Sequence, residues 1–296
     1  MLSLADRVSA VDSQDVGLLR LAYRLHNSFT FIPLSVLEGS YRSAHDLSRK
    51  LSKLLELGLI RSARGSEYMF QLTFRGLDVL AVAELTRRGV LARIGDVLGV
   101  GKESEIYLSW TPTGLQIALK LHREGTRSFR GLLRTRWYRA LSRRSQLYGV
   151  AIEAAGREFA ALTSVRRAGG LVPRPIDKAL HAVAAEYLDG VELVKARELS
   201  RDEAVTILND VLTTVKAAYR IAGVVHGDLS AYNVLVVRGS KGVRGYVIDW
   251  PQYLDASDPL ARQTLLRDLV NIATYFNKTL GLDIGVEDLL REVEEG

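Results

Sequence analysis

The sequence predicts an α+β protein in two parts, helix-led over residues 1–90 and strand-led over residues 91–296. Three observations carry that expectation. Apolar residues recur at helical spacing through the first ninety residues, interrupted once by a short strand-turn-strand pattern. From Ile94 the period changes to that of strands around a glycine-rich turn. Two carboxylates and an amide, Asp228, Asn233 and Asp249, then fall close together around two apolar runs. A chain of 296 residues with 47% hydrophobic content can fill a core in each part.

In the first part, Asp15 to Asn27 sets Val16, Leu19 and Tyr23, and also Leu18, Leu21 and Leu25, at helical spacing. PLSVLEG follows, with Pro33 expected at a first helical position and Gly39 as its stop. Ser43 to Leu57 gives a third helix, with Leu47, Leu51, Leu54 and Leu55 on one face and Arg42, Arg49, Lys50 and Lys53 on others. LIRSA and YMFQL read as strands joined by Arg64-Gly65-Ser66-Glu67, and Thr73 to Arg88 as a closing helix. Three helices, a hairpin wing and a closing helix make a winged helix-turn-helix, in which the helix before the wing enters the major groove of a duplex. Here that helix carries the basic residues, which favours a nucleic-acid partner. Many such domains contact proteins instead, and fold alone does not decide.

From Ile94, IGDVLGVGKESEIYLSW reads as strand, turn, strand, and LQIALKL as a third strand ending near Lys120. The turn Gly99-Val100-Gly101-Lys102-Glu103-Ser104 can face backbone N–H groups toward phosphates. It is not a GxxxxGK[ST] loop, whose first glycine would fall on Asp96 and whose Ser/Thr on Glu103, nor a dinucleotide fingerprint, because a strand follows it, and alone it reads equally well as a plain hairpin turn. Ala151 to Val165 predicts a helix carrying Glu158, VPRPI breaks the chain, and HAVAAEYLDG predicts a buried strand running into a linker. Ser200-Arg201-Asp202-Glu203 matches a capping box for a long helix that runs on to Ala222 and stops at Gly223. Pro259 to Lys278 gives one more helix before a short acidic tail.

The formal charge of +6 is uneven: Arg123 to Val150 holds eight arginines and one acid, a local 8 − 1 = +7. Such a block points to a polyanion or to a solvated arginine-rich face. No run of 18 apolar residues occurs and the N-terminus lacks the pattern of a secretory signal, so a soluble cytoplasmic protein without a membrane partner is expected. Zero cysteines exclude disulfides, thiolate zinc sites and a cysteine nucleophile, and the five histidines are scattered. Any metal should therefore be held by oxygen.

Lys120 inside an apolar strand needs a charged partner, since an unpaired buried ammonium is costly. Glu158 on the following helix can supply it, either as a simple salt bridge or as part of a larger site. The order of glycine hairpin, strand lysine, helix glutamate, then HGDLSAYN (His226 to Asn233) and YVIDWPQ (Tyr246 to Gln252), is the order in protein kinases. In such a site Asp228 takes the acceptor's hydroxyl proton, Asn233 holds Mg²⁺, and Asp249 holds the metal that bridges the phosphates. Charge on nucleotide oxygens is what calls for hard oxygen ligands and a lysine.

HGDLSAYN and IDWPQ, with GVGKESEIY, IALK, GREFAAL and AEYLDG, resemble the Rio family of atypical serine/threonine protein kinases. A winged helix ahead of GVGKES is similar to its second subfamily. Trp250 stands where the family pattern favours Phe, which keeps an aromatic beside the metal aspartate. HGDxxxxN also occurs in aminoglycoside and choline phosphotransferases, but the 296 − 249 = 47 residues after Asp249 suit one or two helices rather than a substrate lobe.

The resemblance implies a winged-helix domain at 1–90 and, at 91–296, a compact bilobal protein-kinase-like domain lacking the peptide-docking lobe. Its N-lobe would be 91–187 with a basic insert at 123–150, and its C-lobe 188–296. It implies ATP and Mg²⁺, with Mn²⁺ as an alternative metal. Gly99, Val100, Gly101, Lys102, Glu103 and Ser104 would cover the phosphates, with Ser104 touching one. Lys120 would hold phosphates and pair with Glu158, while Glu186 and Leu188 would meet the adenine through backbone groups. Asp228 would be the catalytic aspartate and Asn233 and Asp249 the metal ligands, with Asp249 also a candidate phosphoryl acceptor in an ATPase-like switch. The implied partner is the maturing small ribosomal subunit, its pre-ribosomal RNA reached through the Ser43–Leu57 helix and the insert. A protein substrate is implied but not identified. Ser128, Thr135, Ser142 and Ser145 are candidates for self-phosphorylation. The competing expectations are a small-molecule phosphotransferase, and a nucleic-acid-binding regulator whose kinase-like domain only senses nucleotide.

Overall fold

A computed structural model describes residues 2–41, 43–123 and 146–295. Arg42 and residues 124–145, which make up most of the basic insert and include Ser128, Thr135, Ser142 and Ser145, lie outside the described residues. The chain divides into two compact units, 1–155 with 177–184, and 156–176 with 185–296.

The first unit opens with α1 (Leu4–Ala10), started by a reciprocal capping box between Ser3 and Asp6. This helix was not expected, although Ser-x-x-Asp is its signal. α2 (Ser13–Leu25) begins two residues earlier than expected because Asp12 caps it: the Asp12 carboxylate accepts from Gln14 and Asp15 N–H, and Asp15 returns the bond. Pro33 is the N-cap of α3 (Leu34–Glu38), not its first helical residue as expected. Extended there, it forms β1 (Ile32–Pro33), a two-residue edge strand on which a missing N–H is tolerated.

Ser43 caps α4 (Ala44–Glu56), which buries Leu47, Leu51 and Leu54. The expected wing follows as β2 (Ile60–Arg64) and β3 (Tyr68–Leu72), antiparallel with Arg64 opposite Tyr68, in a sheet ordered β1-β3-β2. α5 (Phe74–Arg87), capped by Thr73, closes this region. The charges of α4 are largely answered from within. Lys50 is buried and lies 3.4 Å from Asp15, Lys53 pairs with the same carboxylate, and Arg49 reaches Asp46 at 2.9 Å.

A five-stranded sheet, most of whose residues belong to this unit, consists of β4 (Arg93–Val100), β5 (Ser104–Trp110), β6 (Gln116–His122), β7 (Pro175–Ala179) and β8 (Ala182–Glu186), ordered β4-β5-β6-β8-β7. A buried ionic cluster fastens α5 to this sheet. Arg123 grips the Asp78 carboxylate with both arms at 2.7 and 2.9 Å, His181 Nε2 lies 2.8 Å from it, and Arg75 donates to Glu105 at 2.7 Å. Burial alone would raise the Asp78 carboxyl, but the His181 hydrogen bond and the Arg123 charge hold it below its usual range, while burial pushes His181 down.

α6 (Gln146–Arg167) is longer at both ends than the expected Ala151 to Val165 and continues from the first unit into the second. In the second unit, α7 (Arg201–Lys216) starts with the expected Ser200–Glu203 capping box. It ends in a wide π turn, Ala217–Ala222, stopped by Gly223 in the left-handed region. β9 (Gly190–Glu192), β11 (Val234–Gly239) and β12 (Gly242–Val247) form a sheet ordered β12-β11-β9. Asp210 of α7 holds that sheet by accepting the Gly245 N–H at 2.8 Å. Between them, β10 (Val224–Val225) pairs with β13 (Leu254–Asp255).

After α8 (Ala261–Leu280) the expected acidic tail is instead a helix, α9 (Val286–Glu295). Leu289, Leu290 and Val293 make a buried stripe, and Glu287, Asp288 and Glu292 face solvent. Among the described residues, no helix is long and apolar enough to cross a membrane.

Candidate active site

The loop after β10 runs His226-Gly227-Asp228-Leu229, and α8 holds it from behind. The Asp268 carboxylate accepts the N–H of Gly227 at 2.8 Å and of Leu229 at 3.3 Å, on either side of Asp228. Arg267 donates to the Gly227 carbonyl, and Asn271 to that of Leu229 at 3.2 Å. Asp268 is 1% exposed, and burial pushes its carboxyl above the usual carboxylate range against the pull of those two N–H groups. Gly227 has φ +87°, and a Cβ there would sit 2.7 Å from the Gln252 carbonyl oxygen, so only glycine fits. With its neighbours pinned, Asp228 remains exposed.

Asn233 ends a short 3₁₀ turn, Ala231–Asn233, just before β11, and is buried. Its Nδ2 donates to the Asp228 carbonyl at 2.7 Å and lies 3.4 Å from the Asp228 carboxylate. Across the hairpin, the Ile248 N–H donates to the Asn233 carbonyl at 2.9 Å, and the Ile248 carbonyl lies 3.0 Å from His226 Nε2. Asp249 follows, half-buried with φ +68°, a left-handed conformation that aspartate tolerates better than most residues. Trp250 is buried, with its ring centroid 4.5 Å from that of His226 and its indole N–H bonded to Val247. Its bulk is therefore used in packing the loop, and the departure from Phe leaves the aromatic role intact.

Arg157 of α6 closes the far side. Its Nε donates to the Pro251 carbonyl at 2.9 Å, another arm reaches the Tyr253 carbonyl, and the guanidinium carbon lies 4.1 Å from the Tyr253 ring centroid. The next residue, Glu158, is buried at 4% exposure. Glu186 exchanges two bonds with Arg174: its N–H donates to the Arg174 carbonyl at 2.8 Å and its carboxylate accepts the Arg174 N–H at 3.2 Å. Leu188 lies in the irregular stretch between β8 and β9.

The second unit thus brings together Asp228, Asn233 and Asp249, and it also holds Glu158, Glu186 and Leu188. The glycine turn and Lys120 belong to the first unit. There, Gly99 and Val100 are not in the turn but pair as strand residues with Ile106 and Glu105, beside breaks in the β4 register. The turn is Gly101 to Glu103, closed by the Gly101 N–H on the Ser104 carbonyl at 2.8 Å. Lys102 and Glu103 lie within it, Ser104 opens β5, and Lys120 sits on β6 opposite Ile106.

Asp268 and Arg157 were not foreseen from sequence. A lone aspartate within the apolar period Leu265, Leu269, Ile272 is a signal for the first, since a buried carboxylate demands partners. The second has no local signal.

Two carboxylates and an amide suit a hard divalent cation. Asn233 Nδ2 is engaged by Asp228, and Oδ1 is the atom of that amide that can act as a metal ligand. Among the described residues, no three His, Cys, Asp or Glu side chains form a metal cage. A sparse oxygen set completed by phosphate oxygens is the way Mg²⁺ is usually bound.

The fold is α+β and protein-kinase-like. It superposes on the Rio2 kinase of Chaetomium thermophilum, solved both alone and as an ADP/Mg²⁺-phosphoaspartate complex, with TM-score 0.77 over 98% of this chain and 88% of that one, at 24% identity. Residues 105–289 match the RIO domain, and the chain belongs to the RIO family. Rio2 kinases are among the proteins it is similar to. It is 32% identical to the RIO-type serine/threonine-protein kinase Rio2 of Methanocaldococcus jannaschii, covering 79% of this chain and 84% of that protein. It is 28% identical to the serine/threonine-protein kinase RIO2 of Caenorhabditis elegans, covering 88% of this chain. The chain spans about half of that longer relative, 48% of its length.

Proposed function

We propose that the protein is an ATP- and Mg²⁺-dependent atypical serine/threonine kinase with ATPase character, in which Asp249 is a phosphoryl acceptor. The observation that carries this is the Asp228–Asn233–Ile248 hydrogen-bond chain, which ties both aspartates of HGDLSAYN and IDW into one backbone cluster within a RIO domain. The phosphoaspartate of the Chaetomium Rio2 complex agrees with it.

Asn233 and Asp249 would hold Mg²⁺, which neutralises charge on the phosphate oxygens when bound. Lys120 and the N–H groups of Gly99 to Ser104 would receive the same phosphates, with Glu158 as partner of Lys120. The Glu186 N–H is committed to Arg174, so Glu186 would meet the adenine through its carbonyl and Leu188 would supply the donor. An Asp249 oxygen attacks the γ-phosphorus, the bond to the β,γ-bridging oxygen breaks, and ADP leaves. Water or a serine hydroxyl then takes the phosphoryl group, with Asp228 accepting the proton.

Residues 1–90 are proposed as a winged helix-turn-helix domain, and 91–187 and 188–296 as the kinase lobes. The proposed partner is pre-ribosomal RNA of the small subunit. The 123–150 charge block supports it more than α4 does, since Lys50 is used internally. The test of the activity is incubation with labelled ATP and Mg²⁺. An acid-stable, hydroxylamine-labile phosphoprotein is expected, absent from Asp249→Ala; turnover retained in that variant would sink the reading.

A further inference from the structure

We propose that Arg157 is a positioning residue for Asp249, fixing the backbone that follows the aspartate and coupling it to the helix that carries Glu158. The inference rests on the reading of Asp249 as the phosphate-side carboxylate. Asp249 has left-handed backbone, a conformation that persists only where its surroundings over-determine it. Two holds flank it. Upstream, the Ile248 N–H is bound by the Asn233 carbonyl. Downstream, Arg157 spans the carbonyls of Pro251 and Tyr253, and its guanidinium lies over the Tyr253 ring.

A planar fork is suited to two carbonyls two residues apart, whereas a lysine ammonium is a single point of donation. Stacking on the ring fixes the plane of that fork. Closer along the chain, the Tyr253 N–H donates to the Trp250 carbonyl at 3.3 Å and the Trp250 indole to Val247, while Leu254–Asp255 are held separately by pairing with Val224–Val225.

The consequence for the reaction follows from chain position. Arg157 and Glu158 are adjacent on α6, so a displacement of that helix carries the loop after Asp249 with it. In protein kinases the helix glutamate and the metal aspartate must each be in place for transfer. Here a single side chain makes those two conditions one.

The test compares the full chain with Arg157→Lys and Arg157→Ala, first without nucleotide. Amide exchange in Trp250 to Tyr253 should rise by about tenfold or more in Arg157→Ala and less in Arg157→Lys, while Gly227 to Leu229, held by Asp268, stays protected. With Mg²⁺ and ATP, kcat should fall about 30-fold in Arg157→Ala with KM for ATP little changed, as expected for misplacement near 1 Å, and Arg157→Lys should recover part of it. Unchanged exchange of the loop, exchange raised throughout the unit, or a raised KM at constant kcat would each overturn the assignment. Should Arg157→Ala not fold, Arg157→Lys is held to the same comparison. Absence of turnover in the unaltered chain would overturn the phosphoryl-transfer reading itself, whereas turnover with an unmoved loop in the variants overturns only the role of Arg157.

Discussion

Replacing Asp268 removes the support of the HGD loop without touching a residue proposed to meet substrate. In Asp268→Ala the N–H groups of Gly227 and Leu229 lose the acceptors they have at 2.8 and 3.3 Å, and Leu229 is fully buried. An unsatisfied buried donor costs about 1–3 kcal/mol. Part of this is offset, because a carboxylate held out of water, with its pKa raised by burial, also disappears. A net loss of about 1–3 kcal/mol corresponds to a Tm lower by about 2–10 °C for a unit of this size. The larger effect should be on rate, because Asp228 lies between the two freed amides and a shift of about 1 Å can cost up to 10²-fold. Asp268→Asn keeps one acceptor and should fall between.

The pH dependence has a defined sign. A carboxyl with a raised pKa in the folded state binds its proton more tightly folded than unfolded, so its contribution declines as pH rises from about 3.8 through the folded value. That segment of slope should vanish in Asp268→Asn. Thermal unfolding across pH 3–7 and steady-state ATP turnover are the assays, the pH range bracketing the roughly 3.9 of a free aspartate. Turnover in Asp268→Ala within about twofold of the unaltered chain would refute the argument that α8 positions Asp228.

Asp249→Gly and Asp249→Ala should both abolish the phosphoprotein, but glycine relieves the left-handed strain and should be the more stable by about 1 kcal/mol, read as a higher Tm. Asp78→Ala takes away the carboxylate that Arg123 holds with both arms and that His181 faces, keeping Glu105 at 3.3 Å from Arg123, and should destabilise by about 3 kcal/mol in denaturant unfolding. Asp78 is held low and His181 is pushed down, so both contribute stability above their unfolded values that is lost on acidification, and the acid limb of the stability curve should flatten in Asp78→Ala.

The parts of the site that were legible are those written in short stretches. HGDLSAYN and IDWPQ each suggest a chemistry within a few residues, and the two apolar runs around them pair as β11 and β12. Helix starts were legible at Ser43, Thr73 and Ser200, because a cap acts within three residues. What escaped depends on partners far along the chain. Asp268 serves amides 41 and 39 residues before it, and Arg157 serves carbonyls 94 and 96 residues after it. Lys50 looked like a surface cation until Asp15, 35 residues earlier, is seen beside it. α9 was missed for a different reason: its short apolar stripe, Leu289, Leu290 and Val293, is outweighed by the acidic residues around it. Pro33 was misplaced because its extended conformation answers to β3, not to the helix it precedes.

The carboxylate that secures the HGD loop comes from a helix made after the loop itself. During synthesis, a nascent chain that has just passed Asp249 already holds Asp228, Asn233 and Asp249, yet Gly227 and Leu229 still lack Asp268. Competence for chemistry therefore arrives late, when α8 docks, and a nascent chain stalled before that point would hold the motif residues without the anchor that sets their loop.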